Sequence, residues 1–533
     1  MKKSILSLSA AVALGGLGFA GSAGAVVVFD GTASKANTIV QSTANTGHML
    51  YVPYFTAQGG EATFLNIVNT DTTNGKAVKV RFRGASNSDD LLDFTLFLSP
   101  GDVWSGMISR NKSGNVQIET NDNSCTIPTK DAWPGEFKAD RLPAYVSDSV
   151  AQALMGEGYV EILNMADLVP DSTIYKAAKH SNGVPKCSDL PYNYLLSTAS
   201  ESETESRVAT KGLTYPTGGL MGSWMILNQN DTTAFSGAAT SMTATAHTAP
   251  GSYTVLVDTS GMVTGNTTAN VIFFPQVEVG VSSVAKWTAD PLLVTGAVDP
   301  VWFDLPDMST PLTVLDDGSQ IGVTGGGKPG GTDVTGDEAP TGQANLLSAA
   351  MGKVNVINEY VATAAGAAVP FATDWVVAQP TRRYQIAVNY GSSAAASAIV
   401  QNPKGAFYTG SVVTLQKGNA FGPQACLSLS FGSYDREEGG KASAGSFSPG
   451  KTNPFCGEVF VAKFGSQSVL NATVTVTDLS SQVAGQAGWA RIGTNNKDLP
   501  IPLVGFAATK FSNVAAGVNY GQTLPYRWVG EVK

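Results

Sequence analysis

Apolar and polar residues alternate with a period of two along much of this chain. Val78, Val80 and Phe82 alternate with Lys79, Arg81 and Arg83, which predicts a strand with one apolar and one cationic face. Leu92, Phe94, Leu96 and Leu98 share the face of a second strand, and Ser99-Pro100-Gly101-Asp102 supplies the turn after it. Tyr384, Ile386, Val388 and Tyr390 repeat the pattern, as do Ala472, Val474 and Val476 against Thr473, Thr475 and Thr477. Shorter runs at 159–163, 253–257, 271–274, 412–415 and 459–464 fit half-buried strands closed by Gly, Pro, Asn or Asp. Many short strands without regular intervening helices predict a mainly β chain of antiparallel β-sandwich domains with a few short helices.

Two segments depart from that pattern. Ser147–Met155 opens on Ser and Asp capping residues and stops at Gly156, which predicts a short helix. A longer helix is expected over 344–362, where Leu347, Ala350, Met351, Val354, Ile357 and Val361 fall on one stripe. Just before it, 323–343 is rich in Gly and Pro and reads as a linker or long loop. The expected organisation is therefore a signal peptide at 1–25 and an N-terminal β-rich region at 26–322. The linker at 323–343 and a C-terminal β-rich domain at 344–533, led by that helix, complete it. No repeat of fixed period is present, which argues against a solenoid or propeller.

The start of the chain sets the expected compartment. Met1-Lys2-Lys3 is basic, an apolar run extends from Ile5 to Ala20, and Ala23-Gly24-Ala25 matches a signal-peptidase site. An exported protein at the cell surface or outside the cell is expected, with no membrane span once that segment is removed. The four cysteines fit this compartment. Cys125, Cys187, Cys426 and Cys456 are widely spaced and even in number, so they read as disulfides rather than zinc ligands. Three pairings are open to four cysteines; the sequence-local one joins Cys125 to Cys187 and Cys426 to Cys456.

Charge and composition narrow the chemistry. The 533 residues carry 33 Lys+Arg against 42 Asp+Glu, a net charge of −9. Loss of Lys2 and Lys3 with the signal peptide makes it −11. An acidic chain lacks the basic face that nucleic acid requires. Charged residues make up only 14% of the chain, fewer than the roughly 25% of average domains, which favours lateral contact between proteins. His48, His180 and His247 lie far apart in sequence, and neither G-x-S-x-G nor a phosphate-binding glycine loop is present. No catalytic residue is assigned, and a non-enzymatic protein is expected.

The acidic turns are the more suggestive chemistry. Asp89, Asp90 and Asp93, Asp316-Asp317, the group Asp333, Asp337 and Glu338, and Asp435-Arg436-Glu437-Glu438 offer clustered oxygens of the kind calcium takes outside cells. No cofactor is demanded and no metal ligand set is singled out, but calcium is the cation expected to promote assembly. The competing expectation for each turn is a solvated loop that keeps the chain soluble. Trp104, Trp224, Trp302 and Trp375 would line a carbohydrate platform if they shared an exposed face, and otherwise fill a sandwich core.

Several runs resemble a group of exported proteobacterial cell-surface or surface-layer proteins. In the first half they are Leu50-Tyr51-Val52-Pro53-Tyr54-Phe55-Thr56, Thr63-Phe64-Leu65-Asn66-Ile67-Val68-Asn69-Thr70, Val80-Arg81-Phe82-Arg83-Gly84 and Leu98-Ser99-Pro100-Gly101-Asp102-Val103-Trp104. In the second half they are Asn358-Glu359-Tyr360-Val361, Thr373-Asp374-Trp375-Val376-Val377 and Asp435-Arg436-Glu437-Glu438. The resemblance implies surface display and self-assembly, with other copies of this chain as partners. The expected function is thus a structural protein of a surface layer or fibre. The alternative is a secreted carbohydrate- or polymer-binding module.

Overall fold

Residues 38–190, 212–245 and 350–529 are described by the computed structural model, apart from 128, 131–134, 140, 141, 215, 364–369, 383–385, 389–392, 402–412, 444–452, 495, 497–499 and 514. Five strands between 277 and 322 are described as well. The first part contributes β1 (Thr38–Gln41), β2 (Met49–Thr56), β3 (Glu61–Asn69), β4 (Gly75–Gly84), β5 (Asp90–Leu98), β6 (Val103–Arg110), β7 (Val116–Glu119) and β8 (Cys125–Ile127). It continues with β9 (Glu157–Leu168), β10 (Leu213–Thr214), β11 (Leu220–Asn228), β12 (Thr233–Ala238) and β13 (Thr240–Thr245). The five isolated strands are β14 (Val277–Val281), β15 (Ala285–Trp287), β16 (Val301–Leu305), β17 (Leu312–Leu315) and β18 (Gln320–Gly322).

The last part holds β19 (Gly352–Lys353), β20 (Asn355–Val361), β21 (Phe371–Ala378), β22 (Ile386–Val388), β23 (Ile399–Gln401), β24 (Val413–Gln416), β25 (Gln424–Asp435) and β26 (Gly440–Ser443). After these come β27 (Asn453–Cys456), β28 (Val459–Lys463), β29 (Val476–Asp478), β30 (Ala487–Gly493), β31 (Ile501–Pro502), β32 (Val504–Asn513), β33 (Val518–Pro525) and β34 (Arg527–Val529). The mainly β, antiparallel class expected from the alternation is what forms, with β28–β29 a parallel exception.

Each part pairs two sheets. In the first, an eight-stranded sheet ordered β1-β13-β2-β9-β4-β5-β8, with β10 on β9, opposes a five-stranded sheet ordered β12-β11-β3-β6-β7. Val78, Val80 and Phe82 face inward with Phe94, Leu96 and Leu98, and meet Trp104, Ile67 and Ile226 in one core. In the second part, β24-β25-β30-β20-β34 opposes β29-β28-β21-β32-β33. Val356, Tyr360, Trp375, Val377, Phe431, Phe460 and Ile492 fill that core. Alternation explains these faces, because successive side chains of a strand leave on opposite sides.

The sheet containing β21, β28 and β32 has no wet face at its centre. Trp375, Val377, Phe460, Ala462 and Ala507 enter the second core, while Val376, Ala378, Val459, Val461, Phe506 and Ala508 enter the first. Trp224 of β11 meets Phe506 of β32 with ring centroids 4.4 Å apart. The halves on either side of 323–343 therefore share one hydrophobic cluster, although the linker itself lies outside the described residues.

Helices are short. α1 (Asp148–Met155) starts after Ser147 and ends at Gly156, as expected, and α2 (Thr173–Ala178) is capped by Ser172, whose hydroxyl accepts from Tyr175 N at 3.2 Å. Of the helix expected over 344–362, Ala350 and Met351 are helical and the rest of the described part is not. Gly352–Lys353 and Asn355–Val361 are strands, and β20 hydrogen-bonds to β30 on one side and β34 on the other. The same residues also satisfy a period of two: Val356, Asn358 and Tyr360 point inward, Ile357 and Glu359 outward. Val354, Val356, Ile357 and Val361 are β-branched, and two flanking strands outweigh an apolar stripe. The strand expected over 472–477 begins only at Val476. Runs 253–257 and 271–274 fall outside the described residues.

Both sequence-local disulfides close: Cys125–Cys187 with Cα atoms 5.3 Å apart and Cys426–Cys456 with 4.0 Å. Cys426 and Cys456 face each other directly in the β25–β27 register. Replacing Cys125 and Cys187 together by Ala frees a span of 62 residues. Urea unfolding is expected to show a loss of roughly 4 kcal/mol by chain entropy; an unchanged midpoint would mean the bridge constrains nothing.

Candidate functional site

Several charged side chains cluster inside this protein. On β4 the cationic face of Lys79, Arg81 and Arg83 is as buried as the apolar one. Register explains the pairing, since Arg81 stands between Glu161 of β9 and Asp93 of β5, with Tyr51 of β2 next in the row. The ion pairs then run diagonally: Lys79 to Asp93, Arg81 Nη1 to Asp90 Oδ2 at 3.0 Å, and Arg83 Nε to Glu161 Oε2 at 3.5 Å. A one-residue slip of β4 would put these cations into the apolar core, so the row fixes register as well as charge balance.

A second cluster lies where β4 begins and β9 ends. Lys76 Nζ donates to Asp167 Oδ1 at 3.0 Å and to Thr217 Oγ1 at 2.9 Å, and Asn164 Nδ2 donates to Asp167 Oδ1 at 2.8 Å. Burial, and then the nearby Lys76 charge, pull the His48 imidazole down to about 3. His48 is thus neutral and enclosed. In the second half, Arg382 is fully buried and donates to the carbonyls of Gly457, Ala425 and Phe455, fixing the corner beside Cys426–Cys456.

Three carboxylates hold the loop 468–474 between the halves. Asp374 Oδ2 accepts from Ser468 Oγ, from Val469 N at 2.8 Å and from Leu470 N at 3.2 Å. Glu157 of β9 accepts from Thr473 N at 2.7 Å, Thr473 Oγ1 at 2.8 Å and Val474 N at 3.3 Å, and from the Tyr54 hydroxyl at 3.2 Å. Glu61 of β3 accepts from Asn471 Nδ2 at 2.9 Å. This clasp is why 472–474 makes no strand: the backbone donors of Thr473 and Val474 are taken by Glu157 and that of Ala472 by Ser468 Oγ. Gly59 (φ +54°) is required beneath it, because a Cβ there would sit 2.7 Å from the Asn471 side chain.

Burial sets the proton affinity of the clasp. It pushes Glu61 and Asp374 each up to about 7, and raises Glu157, although hydrogen bonds from their partners pull the other way. A second seam runs along 85–88, where Ala85 O accepts from Glu458 N at 2.8 Å and Asn87 Nδ2 donates to Pro423 O at 3.0 Å.

The residues singled out from sequence have the following places. Asp90 and Asp93 are committed to Arg81 and Lys79, and Asp89 is buried, so this turn is not the solvated loop one reading expects. Asp435 caps the β25–β26 hairpin, its Oδ1 accepting from Glu437 N and Gly439 N, while Glu437 and Glu438 are exposed. Asp316, Asp317, Asp333, Asp337, Glu338 and His247 lie outside the described residues. Among the described residues no three His, Cys, Asp or Glu side chains converge as metal ligands. Trp104, Trp224 and Trp375 are buried and Trp302 stands in β16, so the first three make no exposed platform.

Ser99, His180 and Asp102 do come together. However, Ser99 Oγ at 3.4 Å and Asp102 Oδ2 at 3.3 Å both face His180 Nδ1. A catalytic triad needs the serine and the carboxylate on opposite ring nitrogens. This arrangement instead ties the turn after β5 to the residues following α2. Sequence reasoning missed the clasp, because Glu61, Glu157 and Asp374 are single acids in unrelated strands. It also missed Trp489 and Trp528, each 40% exposed.

A raised carboxylate affinity in the folded state means protons stabilise the fold. The contribution of Glu61 is complete below its ordinary value of 4.5 and is lost as pH rises through about 7. Glu61→Gln is therefore expected to match the parent at pH 4 and to exceed it by roughly 2–3 kcal/mol at pH 8 in urea unfolding. A parent–variant difference that does not change with pH would show that Glu61 titrates normally.

Comparison with protein-family models, with curated proteins and with solved structures finds no match, so no relative lends this chain an activity.

Proposed function

We propose that this chain is a non-enzymatic structural protein, exported to the bacterial cell surface, whose copies associate side by side into a layer or fibre. One observation carries this reading. Val40 (45% exposed) and Trp528 (40%) stand on β1 and β34, which border their sheets. Border strands of soluble proteins are usually blunted by charge, because an open ladder beside apolar side chains recruits another chain. Here β1 (TIVQ) carries no charged residue at all. Large exposed apolar side chains on such borders suit repeated lateral contact.

The interior supports the same reading. Two disulfides, a shared core and paired buried charges make a stiff block, and stiffness is what a lattice subunit needs. The basic, apolar and small-residue start of the chain supports export. Among the described residues no helix is long and apolar enough to cross a membrane. Calcium enters as a proposed promoter, acting through acidic turns that remain exposed, such as Glu437-Glu438.

Gel filtration and negative-stain electron microscopy of the chain lacking 1–25 test this reading. Ordered layers or fibres are expected, more extensive in calcium chloride than in sodium chloride of equal ionic strength. Val40→Lys with Trp528→Lys is expected to give a monomer whose melting temperature stays within about 4 °C of the parent. A parent that stays monomeric at all concentrations would contradict the structural role. Equal assembly in both salts would remove calcium from it.

A further inference from the structure

We propose that the outer face of the β25–β30–β20–β34 sheet is a binding site for an acidic polysaccharide. Trp489 of β30 and Tyr434 of β25 oppose each other in register, and their rings stack with centroids 4.4 Å apart and planes 14° from parallel. Trp489 is exposed although Trp104 and Trp375 of the same chain are fully buried. Holding an indole in water costs hydrophobic free energy, so a stacked, exposed pair is more readily explained by a ligand than by folding.

Arginines flank the pair. Arg491 follows Trp489 by two residues on the same face, about 7 Å along the strand. The position opposite it is Gly432, where a Cβ would lie 3.4 Å from Arg491 Nε. The arginine side chain therefore passes across a site that carries no side chain of its own. On the other flank of β30, Glu359 opposes Trp489. Arg527 of β34 reaches toward Glu359, Nη1 to Oε1 3.9 Å, with side-chain exposures of 71% and 65%. Such a long, wet pair holds its guanidinium only weakly.

Ligand chemistry follows from this set. A pyranose ring offers a C–H face that stacks on an indole or phenol ring. Its hydroxyls suit the Glu359 carboxylate, and a sugar carboxylate takes the fork of a guanidinium in two hydrogen bonds. The charge of the face decides the class. Arg491 and Arg527 outnumber Glu359 on a chain whose net charge is −9, whereas Lys79, Arg81 and Arg83 are buried against carboxylates. A neutral glycan would offer these guanidiniums only hydroxyl and ring oxygens, whereas a carboxylate accepts from both N–H groups of the fork and brings the opposite charge. A uronic-acid polymer places one ring on Trp489 and a neighbouring carboxylate at Arg491. The site needs one chain only, so it does not depend on self-assembly.

Affinity electrophoresis of the full chain without 1–25 tests this, in gels containing polygalacturonate or neutral dextran. Retardation by polygalacturonate and none by dextran is expected. Trp489→Ala is expected to weaken that retardation at least about tenfold, a loss near 1.4 kcal/mol. Trp489→Phe should retain most of it. Arg491→Gln should weaken it to a similar extent, while Arg436→Gln in the exposed hairpin turn should leave it unchanged. No retardation by polygalacturonate, equal retardation by dextran, or a loss as large in Arg436→Gln as in Arg491→Gln would each overturn the site. If Trp489→Ala fails to fold, the Phe and Gln variants decide the matter.

Discussion

Burial of the β28–β21–β32 sheet on both faces is the constraint on which the rest of this structure depends. A sheet with one wet face closes a single sandwich, but this one has apolar side chains on both sides. Val376, Val461 and Phe506 finish the core of the first half while Trp375, Phe460 and Ala507 finish that of the second. Neither half then has a complete core alone. The carboxylate clasp on 468–474 and the seam at Ala85 lie along this shared sheet, where they satisfy polar backbone that the packing would otherwise strand.

Enclosing so much surface in a chain with few charges turns charge into an internal matter. Lys76, Lys79, Arg81, Arg83 and Arg382 are buried, and carboxylates or carbonyls on neighbouring strands meet them. Such pairs return little net stability after desolvation, yet removing one partner is costly. Their use here is specificity: an alternating strand such as β4 has two buried faces, and only one register matches cation to carboxylate. Glu61 and Asp374 carry the opposite feature. They are acids buried without a full countercharge, and their raised proton affinity links the joint between the halves to pH.

Much of the fold is legible in the sequence because period-two alternation is a direct record of strand faces. The opposed faces of β4 and β5 can be read from Val78–Arg83 and Leu92–Leu98, and α1 from its Ser147 and Gly156 boundaries. The region around 355–361 misleads because its apolar residues satisfy a 3.6-residue period as well as a two-residue one. Only the flanking strands β30 and β34, distant in sequence, decide between them. The candidate sites were less legible. Burial of the Lys79–Arg83 face depends on what covers the sheet, and the clasp joins residues some 300 positions apart. Trp489 becomes notable only through its outward register beside Tyr434. Tryptophans chosen by strand context, Trp104 and Trp375, prove to be core residues.

The shared core is tested most directly by scanning calorimetry of the chain without 1–25 at pH 6. If the two halves complete each other's packing, heating melts them together. A single transition is expected, with the calorimetric enthalpy equal to the van't Hoff enthalpy. Two separable transitions, each with its own enthalpy, would contradict a core held in common.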